Sequence, residues 1–151
     1  MALLRSDYRY KDIGLLLLRI GIGTMFILHG WPKLAGGPER WAAIGQNMEL
    51  IGISFAPAFW GFMAGFAETA GGLLLILGLF WRVTCSLLLF TMIIATARHA
   101  AAGDGFNGYS HALEAAILFF SLIFTGPGRY SLDNKFFPTD KYRSRFNRIV
   151  I

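Results

Sequence analysis

Charge is scarce in this chain, and cysteine almost absent. Of 151 residues, 15% are charged and 55% hydrophobic, with a mean hydropathy of +0.52. A soluble domain of this length carries about a quarter charged residues and under half apolar ones, so the polar surface that would wrap a water-soluble core is missing. The single cysteine, Cys85, lies inside an apolar run. A lone thiol forms no internal disulfide and no Cys-x-x-Cys pair, which excludes a dithiol redox centre built from this chain alone. Nothing in the sequence supplies ligands for a flavin, a nucleotide or an iron–sulfur cluster. No small-residue cleavage site follows the first apolar run, so that run reads as a retained anchor rather than a signal peptide. The length accommodates one membrane domain, residues 1–151, with no separate soluble module.

Glycine (18 residues), phenylalanine (14) and long apolar stretches are what the chain does have. Four runs, at about 13–31, 58–80, 81–102 and 111–126, approach the 17–20 residues a helix needs to cross a bilayer, counting flanking Trp, Arg, His and Lys as interfacial anchors. The expected fold is therefore all-α, an integral membrane four-helix bundle. The long connection between the first two runs holds Gly37-Pro38, a favourable helix start. Trp41, Ile44, Met48 and Ile51 then recur at helical spacing among polar residues. This predicts an amphipathic helix on the outer face, acting as an interfacial anchor or a lid. An even number of spans puts both termini on one side. That side holds ten Lys and Arg, six of them in the tail 129–151, against Lys33, Arg40 and Arg98 opposite. The positive-inside rule then places both termini in the cytoplasm, with the basic tail near anionic lipid. Nucleic-acid binding is not expected from so short a tail.

Arg19, Glu68 and Glu114 interrupt the apolar runs. A charged group near the bilayer centre costs about 2.5–3.5 kcal/mol on insertion scales, so each needs a partner or a watery cavity. On span two, Gly61, Gly65, Glu68 and Gly72 share one helical stripe, and the Gly61–Gly65 spacing is the close-packing pattern of membrane helices. On span four, His111, Glu114, Leu118, Ser121 and Thr125 align. On span one, Arg19, Gly23, Phe26 and Gly30 align, with His29 and Lys33 on an adjacent face. If the stripes converge on one axis, Glu68, Glu114, His29, His99, Arg98 and His111 lie in the outer half. Arg19 lies deeper, about 10 Å from the inner end of its helix. It can reach toward Glu68 or Glu114, or snorkel to the cytoplasm. Such pairs are registry devices in some bundles and functional groups in others. No metal site is expected, and a lone histidine is most often a satisfied polar residue. The second half weakly echoes the first, Arg98-His99 before Glu114 answering Arg19 and His29 before Glu68, as a parallel helix-pair repeat would.

In order along residues 13–133, Leu17-Leu18-Arg19 with Gly21 and Gly23, His29-Gly30-Trp31-Pro32-Lys33-Leu34, Glu68-Thr69-Ala70-Gly71-Gly72, then Glu114 and Gly126-Pro127-Gly128-Arg129-Tyr130-Ser131-Leu132-Asp133 resemble the DoxX family. The resemblance implies a four-helix protein of the bacterial inner membrane, linked with redox complexes. One relative is a subunit of a thiosulfate:quinone oxidoreductase; another associates with superoxide dismutase and a sulfurtransferase. By position it assigns the recurrent polar sites to Arg19, His29, Lys33, Glu68 and Glu114. The reading that follows is a redox-complex subunit, an oxidoreductase component if an enzyme. His29, Lys33 or His99 would donate to quinone oxygens, and Glu68, Glu114 and Arg19 would handle protons and charge. Haem between His29 and His99 is the less favoured variant. An accessory subunit of a larger membrane complex and a small proton- or cation-coupled transporter are the alternatives, and a homo-oligomer fits each of them.

Overall fold

A helix of 21 residues is about 32 Å long, enough to cross the hydrocarbon core of a bilayer. The computed structural model describes residues 10–138 and contains four helices of that length or more: α1 (Lys11–Leu34), α3 (Pro57–Leu77), α4 (Trp81–Ala101) and α5 (Gly105–Thr125). Between the first two lie α2 (Gly37–Gly45) and a 3₁₀ turn over Gln46–Ile51, and α6 (Leu132–Phe136) follows α5. No strand occurs among the described residues. Leu17, Leu28, Val83, Ile117 and Phe124 all stand exposed on the outward faces. Such an apolar belt would drive aggregation in water and is matched by lipid. The fold is an all-α four-helix membrane bundle, as the hydropathy pattern requires. Most of the basic tail, from residue 139 on, lies outside the described residues, as do Arg5 and Arg9.

Glycine decides how the spans meet. A Cβ on Gly23 would stand 2.6 Å from the carbonyl oxygen of Gly72, and one on Gly72 would stand 2.6 Å from that of Gly23. This reciprocal approach brings the backbones of α1 and α3 together. The expected stripe Gly61, Gly65, Glu68 and Gly72 is buried along its whole length. It serves two neighbours, however. Gly65 and Gly72 meet α1, whereas Gly61 lies against the backbone of Trp41 on α2. Beyond this seam, Leu75, Cys85, Leu88 and Phe119 form the fully buried core. Phe26 of α1 meets Phe119 of α5 edge to face at 4.9 Å.

Span one was expected to stop at Trp31, ahead of Pro32, but α1 continues to Leu34. Proline removes one amide donor, yet the helix still closes behind it, with Ala35 N–H bonding the Trp31 carbonyl at 2.9 Å. The indole N–H of Trp41 then reaches back to the carbonyls of Lys33 (3.0 Å) and Leu34 (3.1 Å), groups that a helix end otherwise leaves without partners. This extension carries Lys33 over α3.

At the opposite end a polar knot joins three segments. Gly78 adopts the left-handed conformation (φ 63°) that ends α3. The Asp133 carboxylate accepts from the Phe80 and Trp81 amides at 2.9 and 2.8 Å, capping α4 from 52 residues away. Asp12 accepts from the Arg129 amide at 3.0 Å. Arg19, fully buried, donates to the Tyr130 carbonyl. Its Nε and Nη1 have no partner among the described residues. The guanidinium lies against Gly78, at the negative end of the α3 dipole, which favours a cation there. Asp133→Ala is expected to cost about 1–2 kcal/mol, the usual value of a lost N-terminal cap. A lowered unfolding midpoint in detergent would show it, with Asp133→Asn losing less.

Candidate functional site

Glu68 points toward α1 from the buried stripe of α3. Gly30 makes this approach possible, because a Cβ there would stand 2.6 Å from the Thr69 amide and 2.7 Å from the Glu68 Cβ. One turn further along α1, the Lys33 ammonium meets both carboxylate oxygens of Glu68, at 2.6 and 2.7 Å. Glu68 is 2% exposed and Lys33 32%, so the carboxylate is sealed while the ammonium keeps one open side. An ammonium has three donors. Two go to Glu68, and one remains.

That open side faces a cavity of about 570 Å³, within the 300–1,000 Å³ usual for small-molecule sites. Phe59, Trp60 and Met63 of α3 and Phe90, Thr91 and Ile94 of α4 form its walls. Arg40 and Ile44 of α2, with Met48 of the 3₁₀ turn, cover it; Arg98 and His99 also line it. The segment read as an anchor or a lid therefore covers a pocket. His99 is held through Nδ1 by Asp104 Oδ2 at 2.6 Å, which leaves its other ring nitrogen free to face a ligand. A mostly apolar chamber with one ion pair in its wall suits a lipophilic molecule carrying a few hydrogen-bond acceptors.

Of the six residues singled out by sequence, Lys33, Glu68 and His99 line this pocket. His29 is exposed on α1 and does not. Arg19 sits in the knot at the other end, bonded to Tyr130 rather than to Glu68 or Glu114. Glu114 and His111 are exposed. The expected convergence of all the polar stripes on one axis does not occur. α5 turns Ala116, Phe119 and Leu122 inward, burying its apolar face against the core, and the stripe through Glu114 is left outside. The echo between the halves is likewise unequal, since Glu68 is sealed and paired while Glu114 has no ion-pair partner among the described residues. Arg40, Trp60 and Phe90 were not anticipated, because nothing in their local sequence distinguishes them from other interfacial or lipid-facing residues.

A second cavity, of about 730 Å³, opens beside the knot between Arg82, Phe124 and Phe137, and none of the six lines it. Among the described residues, no group of three or more His, Cys, Asp or Glu is placed to hold a metal ion.

A family model described as DoxX matches residues 14–101. The chain is similar to an uncharacterized protein of Haemophilus influenzae, 36% identical over 139 residues that cover 85% of this chain and 95% of that one. It is similar to the inner membrane protein YqjF of Escherichia coli, 32% identical over 128 residues, 83% of this chain and 93% of the other. The Escherichia coli inner membrane protein YphA is 30% identical over 147 residues, 86% and 99% of the two chains. No solved structure matches.

Proposed function

Since the chain belongs to the DoxX family and is a multi-pass membrane protein, we propose that it is the membrane subunit of a redox complex and holds a quinone in the pocket under α2. The observation that carries this reading is the Lys33–Glu68 pair set in an otherwise mostly apolar wall. A quinone is a flat apolar ring bearing two carbonyl acceptors, usually on a long apolar tail. The third donor of Lys33 suits one carbonyl oxygen, and the uncommitted nitrogen of His99 suits another polar atom near the mouth. Glu68, already the partner of Lys33, would hold or release the proton that quinone reduction requires. The bound quinone supplies the redox chemistry, and the residues of this chain bind, orient and exchange protons with it. Electrons would come from a partner subunit.

The Escherichia coli relatives YqjF and YphA are inner membrane proteins, which supports the same location for this chain. The excess of Lys and Arg on the side of the termini supports termini in the cytoplasm and a pocket in the outer half of the bilayer.

Trp60, in the pocket wall, provides the test. A short-tailed quinone titrated into the purified protein in nanodiscs should quench part of the tryptophan fluorescence saturably. The saturable part should disappear in Trp60→Phe. Ala64→Phe, which puts a large side chain into the cavity, should weaken apparent affinity roughly tenfold or more, as expected for a lost cavity contact region of one to two side chains. Quenching that is unsaturable, or unchanged by both variants, would remove the quinone from this pocket.

A further inference from the structure

Glu114 lies about 14 Å from one end of α5 and about 16 Å from the other, given the helix bounds Gly105–Thr125. It is thus at mid-span, exposed, and without an ion-pair or hydrogen-bond partner among the described residues. A carboxyl turned toward hydrocarbon at that depth bears the insertion cost given above, and acyl chains have nothing to offer it. Its neighbours on the same flank do not share this problem. Ser121 donates to its own Ile117 carbonyl at 2.9 Å and Thr125 to the Leu122 carbonyl at 3.1 Å. His111, also exposed, is the only basic side chain on α5, one turn from Glu114.

From this placement we infer that the α5 flank carrying His111, Glu114 and Ser121 is the interface with a second copy of this chain. A two-fold axis along the bundle sets two α5 helices side by side and parallel. His111 of one copy then stands about 4.5 Å in rise from Glu114 of the other, within reach of the two side chains. Symmetry makes the contact twice. The two carboxyls come to the same level, and each has the imidazole N–H of the other copy as a hydrogen-bond donor. The surface is therefore complementary to itself. The small Ser121 lets the helices approach below this level, as small residues do at membrane helix interfaces. The inference is independent of what the α2 pocket binds.

The test is Ser121→Cys, treated in native membranes with a short bis-maleimide. The only native cysteine, Cys85, is fully buried. A covalent dimer is expected from Ser121→Cys and not from Leu28→Cys, on the exposed face of α1. Adding Glu114→Leu or His111→Leu should raise the dimer dissociation constant in micelles roughly tenfold, the scale of interhelical polar contacts in bilayers. Both replacements favour membrane insertion, so loss of the dimer cannot be ascribed to failure to insert. Crosslinking no greater than for Leu28→Cys, a dimer indifferent to Glu114→Leu, or a crosslink to a different polypeptide would each overturn the assignment.

Discussion

Lys33→Met is expected to destabilise the bundle by about 3–5 kcal/mol, the range for removing one partner of a buried ion pair. Glu68 is 2% exposed and both of its oxygens are committed to Lys33. Without the ammonium, a sealed carboxyl remains with no other ion-pair partner in place among the described residues. Lys33 itself is one-third exposed, which places the effect at the lower end of that range. Glu68→Leu in the same chain should recover most of the loss, because a buried pair replaced by apolar groups of similar volume is often no less stable. Denaturant unfolding in mixed micelles for the wild type, the two single variants and the double variant completes the cycle. Single losses below about 1 kcal/mol with no coupling would mean that the pair is solvated and holds nothing together.

Gly61→Leu is expected to displace α2 and open the pocket while leaving the four spans folded. A Cβ at Gly61 would fall well inside contact distance of the Trp41 carbonyl, and one at Gly45 would do the same to the Pro57 carbonyl. Both obstacles are backbone, so no rotamer change relieves them. The overpacking cost of about 1–3 kcal/mol therefore falls on the docking of α2. In local-opening terms, amides of residues 37–51 should exchange roughly tenfold to a hundredfold faster. Trp41 would also release the last carbonyls of α1, so quinone affinity should fall with the lid. Gly21→Ala is the control, since a Cβ there meets nothing within 4 Å. Its exchange profile should match the wild type. Unchanged protection over α2 in Gly61→Leu would show that the lid docks in some other way.

The same glycine stripe shows how much of the site could be read in advance. Helical phase alone places Gly61, Gly65, Glu68 and Gly72 on one face, and the buried stripe of α3 follows. Phase also groups His111, Glu114, Ser121 and Thr125 on α5, yet that group faces outward. Phase fixes which residues share a face and is silent about where the face points. On α5 the answer came from bulk: Phe119, Leu122 and Ala116 fill the space beside Leu75 and Leu88, and a polar stripe cannot. The sequence shows that Glu68 needs a partner, and it offers Arg19 for that role rather than Lys33. The pairing depends on one extra turn of α1 beyond Pro32, held by Trp41, and sequence statistics for proline argue against that turn.

Taken by itself, the sequence determined the number of spans, the amphipathic segment between the first two, the buried glycine stripe and the family. These are legible because a bilayer imposes its demands locally. Each span must satisfy its own backbone and present apolar residues along its own length, whatever its neighbours do. Only the tertiary structure decided that Lys33 pairs with Glu68, that Arg19 locks onto a carbonyl 111 residues away, that Asp133 caps α4 across 52 residues, and that Glu114 looks outward. These depend on the rotation and register of helices distant in the chain, which are set by glycine contacts and core volume acting together across the bundle.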